Sequence, residues 1–424
     1  MKAEKHSVTL RPELCKGCTH CIKRCPTEAI RVRGGKAVIK SERCVDCGEC
    51  IRTCPYQAKK ALYDKLEEFA GYKYKIALPA PALYGQFDKL EDIDYVVSGL
   101  YRCGFDGVFE VARAAELVSE YTRRYMRQEN IRKPVISSAC PVVVRLISLR
   151  FPGLLPNILP ILPPVELAAR MAKEEALRLH PELRPEEICA LFISPCPAKV
   201  SYARTPLGTG KSAVDGVLSV RDIYFALSGE MKKIEKPEVS SESGLIGISW
   251  AGTGGESSAL MNDSYLAADG IEEVIHVLDE IEKETFVGLE FVELNSCRGG
   301  CVGGALTVEN PFIAKARLQN LRRYLPVSLN RPEEKEPPER IYFDRAVDYS
   351  PVMRLDPDRG KAMQMMSRMQ ELGKKLCDLD CGSCGAPTCQ ALSEDIVRGE
   401  ATLSDCVIYL RECYKAEKEK KSDG

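Results

Sequence analysis

The sequence lacks an excess of charge of either sign and lacks a long uninterrupted apolar run. Among 424 residues, 60 Lys and Arg stand against 61 Asp and Glu, so the formal net charge is -1. Such a balance disfavours nucleic acid and anionic lipid as partners. The most apolar stretch, residues 154–167, is interrupted by four prolines, and the N-terminus MKAEKHSVTL has no apolar segment. We therefore expect a soluble, cytoplasmic protein that binds neither nucleic acid nor membrane.

Cysteine, in contrast, is abundant. The chain has 20 Cys, and in a reducing cytosol most of them cannot be disulfides, so their spacing indicates metal ligation first. Sixteen of them fall into three groups with the spacing of metal sites. The other four are predicted to be small buried residues, namely Cys103, Cys189, Cys377 and Cys413.

The first group is an internal repeat. The pattern C-x2-C-x2-C-x3-C-P occurs twice, and the second copy begins 29 residues after the first. This is the run of bacterial two-cluster ferredoxins, in which the fourth Cys of each copy ligates the cluster of the other copy. One [4Fe-4S] cluster is thus predicted on Cys15, Cys18, Cys21 and Cys54, and another on Cys44, Cys47, Cys50 and Cys25. Two zinc ribbons are the alternative, but the proline after each fourth Cys fits them poorly.

The segment between the copies predicts a small β-structure. Residues 29–32 and 37–39 alternate in polarity around Gly34 and Gly35, as in a β-hairpin. A helix is predicted over residues 59–69. A module of this size has a poor core, so we expect it to depend on its clusters for stability.

The middle of the chain, from about residue 72 to 325, alternates short apolar runs with amphipathic segments. Strands are predicted at 74–78, 107–110, 134–138, 188–194, 245–249 and 288–293. Helices are predicted at 96–100, 115–125 and 167–177 from apolar residues three and four apart. This alternation favours parallel sheets covered by helices.

Three of these strands are followed directly by cysteine motifs. The motifs are Ser137-Ser138-Ala139-Cys140-Pro141, Ser194-Pro195-Cys196-Pro197-Ala198-Lys199 and Asn295-Ser296-Cys297-Arg298-Gly299-Gly300-Cys301. Because α/β folds place their sites at strand ends, we expect four thiols to converge on one buried centre. The glycines around Cys301 would let the backbone approach that centre closely.

These three motifs resemble the signature motifs of [FeFe]-hydrogenases. The resemblance extends to residues 78–82, 103–110 and the Gly-rich residues 251–255, and so through nearly the whole middle region. In that family the motifs bind the H-cluster. This cofactor is a [4Fe-4S] cube bridged by a cysteine to a diiron unit that carries CO, cyanide and an azadithiolate.

The resemblance implies roles for individual residues. Cys140, Cys196 and Cys297 would ligate the cube, and Cys301 would both ligate it and bridge to the diiron unit. Lys199 matches a lysine that donates a hydrogen bond to a cyanide ligand, and an ammonium suits an anionic centre in a dry pocket. Pro81, in the loop that resembles the first active-site loop, would also line the cofactor.

The chain departs from the fast enzymes of this family around the same site. Ala139 stands where those enzymes carry a proton-relaying thiol, and a methyl group cannot transfer a proton. Ser194 and Asn295 replace two methionines beside the diiron unit, and Ala82 replaces a serine donor. Changes around a metal alter its reactivity, so we expect slow turnover. A full ligand set without the relay resembles the sensory subgroup.

The last part of the chain predicts a third site. The charged, proline-rich residues 330–340 predict an extended linker. A helix is predicted over 358–376, with Met363, Met366 and Met369 packed in a core. A metal centre held by thiolates alone is predicted on Cys381, Cys384, Cys389 and Cys406. The segment resembles a small [4Fe-4S] domain, so an iron–sulfur cluster is favoured over zinc.

The sequence therefore predicts an α/β multidomain protein. It would contain a two-cluster ferredoxin-like α+β module at 1–68, an H-cluster domain with parallel sheets at 69–328, a linker at 329–357 and a mostly helical [4Fe-4S] domain at 358–424.

The resemblance implies slow, reversible H2 oxidation and proton reduction, electron relay through three further clusters, and hydrogen or redox sensing. The alternative is a non-catalytic electron-transfer or scaffold subunit without the diiron unit. Maturation proteins would deliver that unit. The identity of a redox or signalling partner and association with a second copy stay open.

Overall fold

The computed structural model of the chain describes residues 6–332, 334 and 337–422, and it divides into two compact units. One unit contains Val45–Gly48 and Leu62–Tyr349, together with the start of the chain up to Ser7. The other unit contains Val8–Cys44, Glu49–Ala61 and Ser350–Gly424. Segments from the N-terminal and C-terminal parts of the sequence therefore form one compact unit together.

The N-terminal part consists of very short elements. Its strands and helices are β1 (Val8–Leu10), α1 (His20–Lys23), β2 (Ile30–Arg33), β3 (Lys36–Ile39), α2 (Glu49–Arg52) and β4 (Lys59–Ala61). Strands β2 and β3 pair antiparallel, which confirms the predicted hairpin, and β1 pairs antiparallel with β4. Their small core contains Cys15, Cys21 and Cys50 among aliphatic side chains, as expected of a module that relies on its cysteines.

The predicted helix over residues 59–69 is wrong. Residues Lys59–Ala61 form β4, in which Lys59 and Ala61 are buried and Lys60 is exposed, and only Leu66–Phe69 turn as a short 3-10 helix. The alternating burial is the period of a strand. Pairing with β1 therefore overrides the helical spacing of the apolar residues.

The large unit is an α/β structure with two parallel sheets. Its elements in chain order are β5 (Tyr74–Pro79), α3 (Asp94–Arg102), β6 (Gly107–Val108), α4 (Val111–Met126), β7 (Val135–Ile136), α5 (Pro141–Arg150), α6 (Pro164–Leu179), β8 (Ile188–Ser194), α7 (Pro197–Arg204), β9 (Gly216–Ser219), α8 (Val220–Met231), α9 (Leu245–Ser249), α10 (Gly255–Ala259), β10 (Tyr265–Asp269), α11 (Ile271–Glu282), β11 (Phe291–Asn295) and α12 (Pro311–Leu321). One sheet has the order β6-β5-β8-β9 and the other β10-β11-β7, and every strand pair within them is parallel. The predicted fold class is confirmed.

One predicted strand of this unit is wrong. Residues Leu245–Ser249 form helix α9, and a Cβ added at Gly247 would lie 2.2 Å from the Ala112 carbonyl oxygen on α4. A short apolar run does not distinguish a buried strand from a buried helix turn. The close packing of α9 on α4 decides between them.

The C-terminal part is helical, with α13 (Arg359–Gly373), α14 (Cys389–Val397) and α15 (Val407–Ser422). The prediction that three methionines of α13 pack in a core is wrong for two of them. Met363 and Met366 are 74% and 50% exposed, whereas Met369 is buried. The three methionines have helical spacing, but of them only Met369 lies on the buried side of α13.

Two further expectations can be compared with the structure. Of the four cysteines predicted to be buried, only Cys189 is; Cys103, Cys377 and Cys413 are partly exposed. Among the described residues, no helix is both long and apolar enough to cross a membrane.

Candidate metal centres

Three strand-end loops of the large unit bring the central cysteines together. Strands β7, β8 and β11 lie in the two parallel sheets, and Cys140, Cys196 and Cys297 follow them in the chain. Cys140 and Cys196 each stand immediately before a helix, α5 and α7, and a proline occupies the first helical position in both cases. Proline suits that position because its missing N–H would have no helical partner there. Each thiol is thus fixed at the N-terminus of a helix.

Cys140, Cys196, Cys297 and Cys301 all line one cavity, which contains about 880 Å³ of space not filled by protein atoms. Lys199, Ala139, Pro81, Ala82 and Asn295 line the same cavity. Ser194 is not among its described lining residues. The Ser194 hydroxyl accepts a hydrogen bond from the Cys196 N–H at 3.1 Å and donates one to the Cys196 carbonyl at 3.0 Å, so it shapes the loop that carries Cys196.

Two glycines allow the loop of Cys301 to pack against the neighbouring loops. A Cβ at Gly300, whose φ is +90°, would lie 2.6 Å from the Thr253 N atom. A Cβ at Gly304 would lie 2.0 Å from the Pro195 carbonyl oxygen. Any side chain at either position would push the loop away from its neighbours. The Gly-rich motif therefore serves close backbone packing around the thiols.

The cavity does not favour free thiolates. Burial raises the pKa of Cys140 and of Cys196, and it raises the pKa of Cys301 to about 11, against the opposing charge of Lys199. The Lys199 Nζ donates a 3.4 Å hydrogen bond to the Ala139 carbonyl oxygen. Three thiols with raised pKa beside one ammonium ionise readily only with a compensating cation. Thiolate-ligated iron supplies that charge, so these residues fit an iron–sulfur centre.

Two buried carboxyl groups, which the sequence analysis missed, line the same cavity. Glu256 and Glu293 are 4% and 3% exposed. Burial, and then the charge of Glu293, raise the pKa of Glu256 to about 8, and burial raises the pKa of Glu293 as well. A Glu in the otherwise apolar strand β11 and a Glu directly after the Gly-rich segment were the signals that could have revealed them.

Hydrogen bonds fix both carboxyl groups. The Ser137 hydroxyl donates to Glu256 Oε2 at 2.6 Å. Glu293 accepts from the Gly254 and Ser257 N–H groups at 2.9 and 2.8 Å, and from Asn295 Nδ2 at 2.9 Å. The cavity thus contains two carboxyl groups with raised pKa, and the pKa of Glu256, at about 8, lies above neutral pH.

In the N-terminal module, Cys15, Cys18, Cys21 and Cys54 line one small cavity. This is the set that combines three cysteines of the first copy with the fourth of the second. Burial raises the pKa of Cys21 to about 11, and the neighbouring Cys18, Cys15 and Cys54 add to the effect. Burial opposes ionisation of Cys15 too, but hydrogen bonds from the Gly17 and Ala37 amides outweigh it and lower its pKa.

The repeat is visible in the hydrogen bonds of the fourth cysteines. The Ala29 N–H donates to Cys25 Sγ and the Ala58 N–H donates to Cys54 Sγ, both at 3.2 Å. N–H groups directed at sulfur stabilise a thiolate ligand. Of the second predicted ligand set, Cys50 lies in the core of the module and Cys25 packs against it.

The C-terminal cysteines lie around a tight loop before α14. Cys384, Cys389 and Cys406 share a small apolar core, and Cys381 interacts electrostatically with Cys384. Cys381 is exposed, and hydrogen bonds from Ser383 lower its pKa. Cys389 has Cys377 as an electrostatic neighbour, although Cys377 breaks the predicted spacing.

Comparison with known families assigns all three regions. The family of the C-terminal domain of the iron-only hydrogenase large subunit matches residues 73–263, a 4Fe-4S dicluster domain matches 7–55 and an Fe-S cluster family matches 378–408. The middle region of the chain is thus similar to the [FeFe]-hydrogenases. Cys140, Cys196 and Lys199 lie within the hydrogenase match, and Cys297 and Cys301 lie beyond its end.

Individual proteins of known identity show the same similarity. The chain is 25% identical over 374 residues to the periplasmic [Fe] hydrogenase large subunit of Nitratidesulfovibrio vulgaris, covering 73% of the chain and 88% of that protein. The fold is similar to that of an apo [FeFe]-hydrogenase variant from Chlamydomonas reinhardtii, with a TM-score of 0.52, 15% identity and coverage of 68% and 98%. It is also similar to a structure that describes stepwise H-cluster assembly, with a TM-score of 0.50, 15% identity and coverage of 68% and 97%.

Proposed function

We propose that this chain holds an H-cluster in the central cavity and interconverts H2 with two protons and two electrons. The observation that carries the proposal is the convergence of four thiols and Lys199 on one cavity. Cys140, Cys196 and Cys297 would hold the cube, and Cys301 would hold the cube and the diiron unit. The cofactor would supply the redox chemistry.

The protein would contribute charge, proton sites and a dry environment. Lys199 offers an ammonium to the anionic part of the centre, where a charge-assisted hydrogen bond is strongest. Glu256 and Glu293 can each hold a proton next to the cavity because burial raises the pKa of both. Ala139 contributes only a methyl group and a carbonyl, so no proton reaches the centre through its side chain.

Three further [4Fe-4S] clusters would carry electrons. Their ligands would be the two N-terminal sets predicted above and the C-terminal set. Cys15, Cys18, Cys21 and Cys54 line one cavity, which supports the crossed pairing between the two copies of the repeat. In this proposal the missing relay at Ala139 makes turnover slow, and slow turnover suits a protein that reports hydrogen or redox state to a partner.

Iron content tests the cofactor assignment. Four cubes and one diiron unit give about 18 iron atoms per chain in protein made together with the maturation proteins, and about 16 without them. Equal iron contents in the two preparations would contradict the diiron unit. They would favour the alternative function, a non-catalytic electron-transfer or scaffold subunit.

A further inference from the structure

The ligand loop of the C-terminal site lies directly against the N-terminal two-cluster module. The Val32 N–H on β2 donates to the Gly385 carbonyl at 2.8 Å. Lys23 Nζ on α1 donates to the Pro387 carbonyl at 2.8 Å, and Arg33 donates to the Cys384 carbonyl at 3.1 Å. The contact is therefore made by the backbone that connects the proposed ligands, not by a remote surface of the domain.

Two glycines of the loop make this approach close. A Cβ at Gly385 would lie 2.0 Å from the Val32 carbonyl oxygen, and a Cβ at Gly382 would lie 3.0 Å from Lys23 Cε and 3.4 Å from Ile22 Cδ1. Ile22 and Lys23 lie between Cys21 and Cys25, which are proposed ligands of the two different N-terminal clusters. The C-terminal ligand loop therefore contacts a segment that lies between proposed ligands of both N-terminal clusters.

A buried ion network fixes the arrangement. Asp395 on α14 has a fully buried side chain and bonds Arg31 and Arg33 at 2.6 Å and Lys40 at 3.0 Å. Burial alone would raise the pKa of Asp395, but Arg31 and Lys40 outweigh it and lower the pKa. Buried pairs are costly to separate, because either partner left alone is an uncompensated charge.

A second buried pair joins Arg43 of the N-terminal module to Glu394, which also bonds Arg398 on its own helix. At this contact the cations of the N-terminal module outnumber the carboxylates of the C-terminal domain. Lys23 is one cation without a carboxylate partner there, since it bonds a neutral carbonyl. A cluster held by four thiolates gains one negative charge on reduction. A surplus of fixed cations between two such clusters favours their reduced forms.

We propose that the C-terminal iron–sulfur domain is a built-in redox partner of the N-terminal two-cluster module. This inference rests on the proposed cluster assignment. One electron leaves a reduced N-terminal cluster, which returns from the +1 to the +2 state. The C-terminal cluster accepts that electron and changes from +2 to +1. No atom or proton is exchanged, and the electron comes from the proposed oxidation of H2 or from an added reductant.

Electron paramagnetic resonance of the full chain, reduced with a europium(II) chelate, tests the proposal. Two reduced clusters in contact broaden each other's signals and relax faster than isolated clusters. The C-terminal signal is identified by difference with Cys381→Ala, which removes an exposed ligand. We expect the C-terminal cluster of the unsubstituted protein to show spin coupling to the N-terminal clusters.

Two pairs of variants separate the contact from general damage. Gly385→Ala places a methyl group against Val32, whereas Gly399→Ala has a similar positive φ of +78° with no atom within 4 Å of the new Cβ. Asp395→Asn removes the carboxylate that bonds three cations, whereas Glu400→Gln removes a half-exposed partner of Lys40 only. We expect loss of coupling in Gly385→Ala and Asp395→Asn, and retained coupling in the two controls.

The outcomes are distinguishable. An isolated C-terminal signal in the unsubstituted protein overturns the inference, as does coupling that persists unchanged in both Gly385→Ala and Asp395→Asn. If Cys381→Ala instead leaves the iron content unchanged, the C-terminal cluster itself is absent. That result overturns the cluster assignment and this inference with it.

Discussion

The central cavity and the docked C-terminal loop both bury carboxyl groups, but they do so in opposite ways. Glu256 accepts a hydrogen bond from the Ser137 hydroxyl and lies beside another acid, Glu293. Asp395 lies among three cations. The pKa of Glu256 is accordingly raised to about 8, and the pKa of Asp395 is lowered.

The difference shows what each region is built to hold. Lys199 is the one cationic side chain among the described lining residues of the cavity, and this low fixed charge suits the proposed anionic metal centre. At the contact between the C-terminal loop and the N-terminal module, the charged side chains pair with one another and hold the two modules together. Among the thiols the contrast is confined to the exposed Cys381, whose pKa is lowered, because burial raises the pKa of Cys384 and Cys389 as it does that of Cys301.

The largest effect is expected from removing one ligand in each region. Cys297→Ala takes a buried thiol from the central cavity, and we expect loss of the central cluster and of all hydrogen turnover. Cys381→Ala takes an exposed thiol from the C-terminal loop, and we expect loss of about four iron atoms with the central centre intact. Iron analysis and hydrogen uptake measure both outcomes.

Cys189→Ala is the matched control for these two variants. Cys189 is fully buried on β8, and it is not among the described lining residues of the central cavity. It should therefore cost stability without changing iron content or turnover. Turnover that survives Cys297→Ala would contradict the assignment of the central site.

A smaller gain is expected from restoring a proton carrier to the cavity. Ala139→Cys places a thiol at the cavity wall, and a positioned acid–base group contributes about 10²-fold to a rate. Ala139→Ser, which adds a hydroxyl of similar size but higher pKa, is the control. Unchanged hydrogen turnover in fully matured Ala139→Cys would show that proton transfer at this position does not limit the rate.

The smallest effects are expected in the pH dependence of stability, and they should have opposite directions in the two regions. Folding raises the pKa of Glu256 from the ordinary 4.5 to about 8. The contribution of this group to the free energy of unfolding therefore decreases as pH rises through that range. Glu256→Gln should remove this loss, so the variant should gain about 1–2 kcal/mol relative to the parent at alkaline pH and little in acid.

Asp395 provides the reciprocal case. Its pKa lies below the ordinary 3.8, so its contribution is complete above that pH and is lost as pH falls through the lowered value. Asp395→Asn should cost about 3–5 kcal/mol near neutral pH and progressively less in acid. Thermal unfolding of the clustered protein across pH, followed through cluster absorbance, compares both variants. The same direction of change in both would contradict the account of the two regions.

Much of the fold could be predicted because the spacing of apolar residues and glycines in the sequence indicates it. The strands at 74–79 and 188–194 contain the apolar runs 76–79 and 188–193, and the N-terminal hairpin has alternating residues around two glycines. The errors arose where long-range contacts decide local structure. Residues 59–61 become a strand only by pairing with residues 8–10, and 245–249 become a helix by packing on α4.

The central site was predictable to the level of its thiols and Lys199, because motifs at strand ends converge in a parallel α/β fold. Glu256 and Glu293 were not found, although their positions after the Gly-rich segment and within an apolar strand were signals, because such positions do not by themselves show that two acids face one cavity. The docking of the two chain ends was equally hidden. The residues that make it, such as Arg31 and Asp395, are ordinary surface residue types separated by most of the chain.

Infrared spectroscopy of the fully matured protein, under H2 and under argon, tests the central claim most directly. CO and cyanide absorb where polypeptide hardly does, so their bands report the diiron unit in the cavity alone. We predict bands in this region that change with the gas. The absence of bands, in protein from a maturation system shown to load another hydrogenase, would contradict a working H-cluster in this cavity.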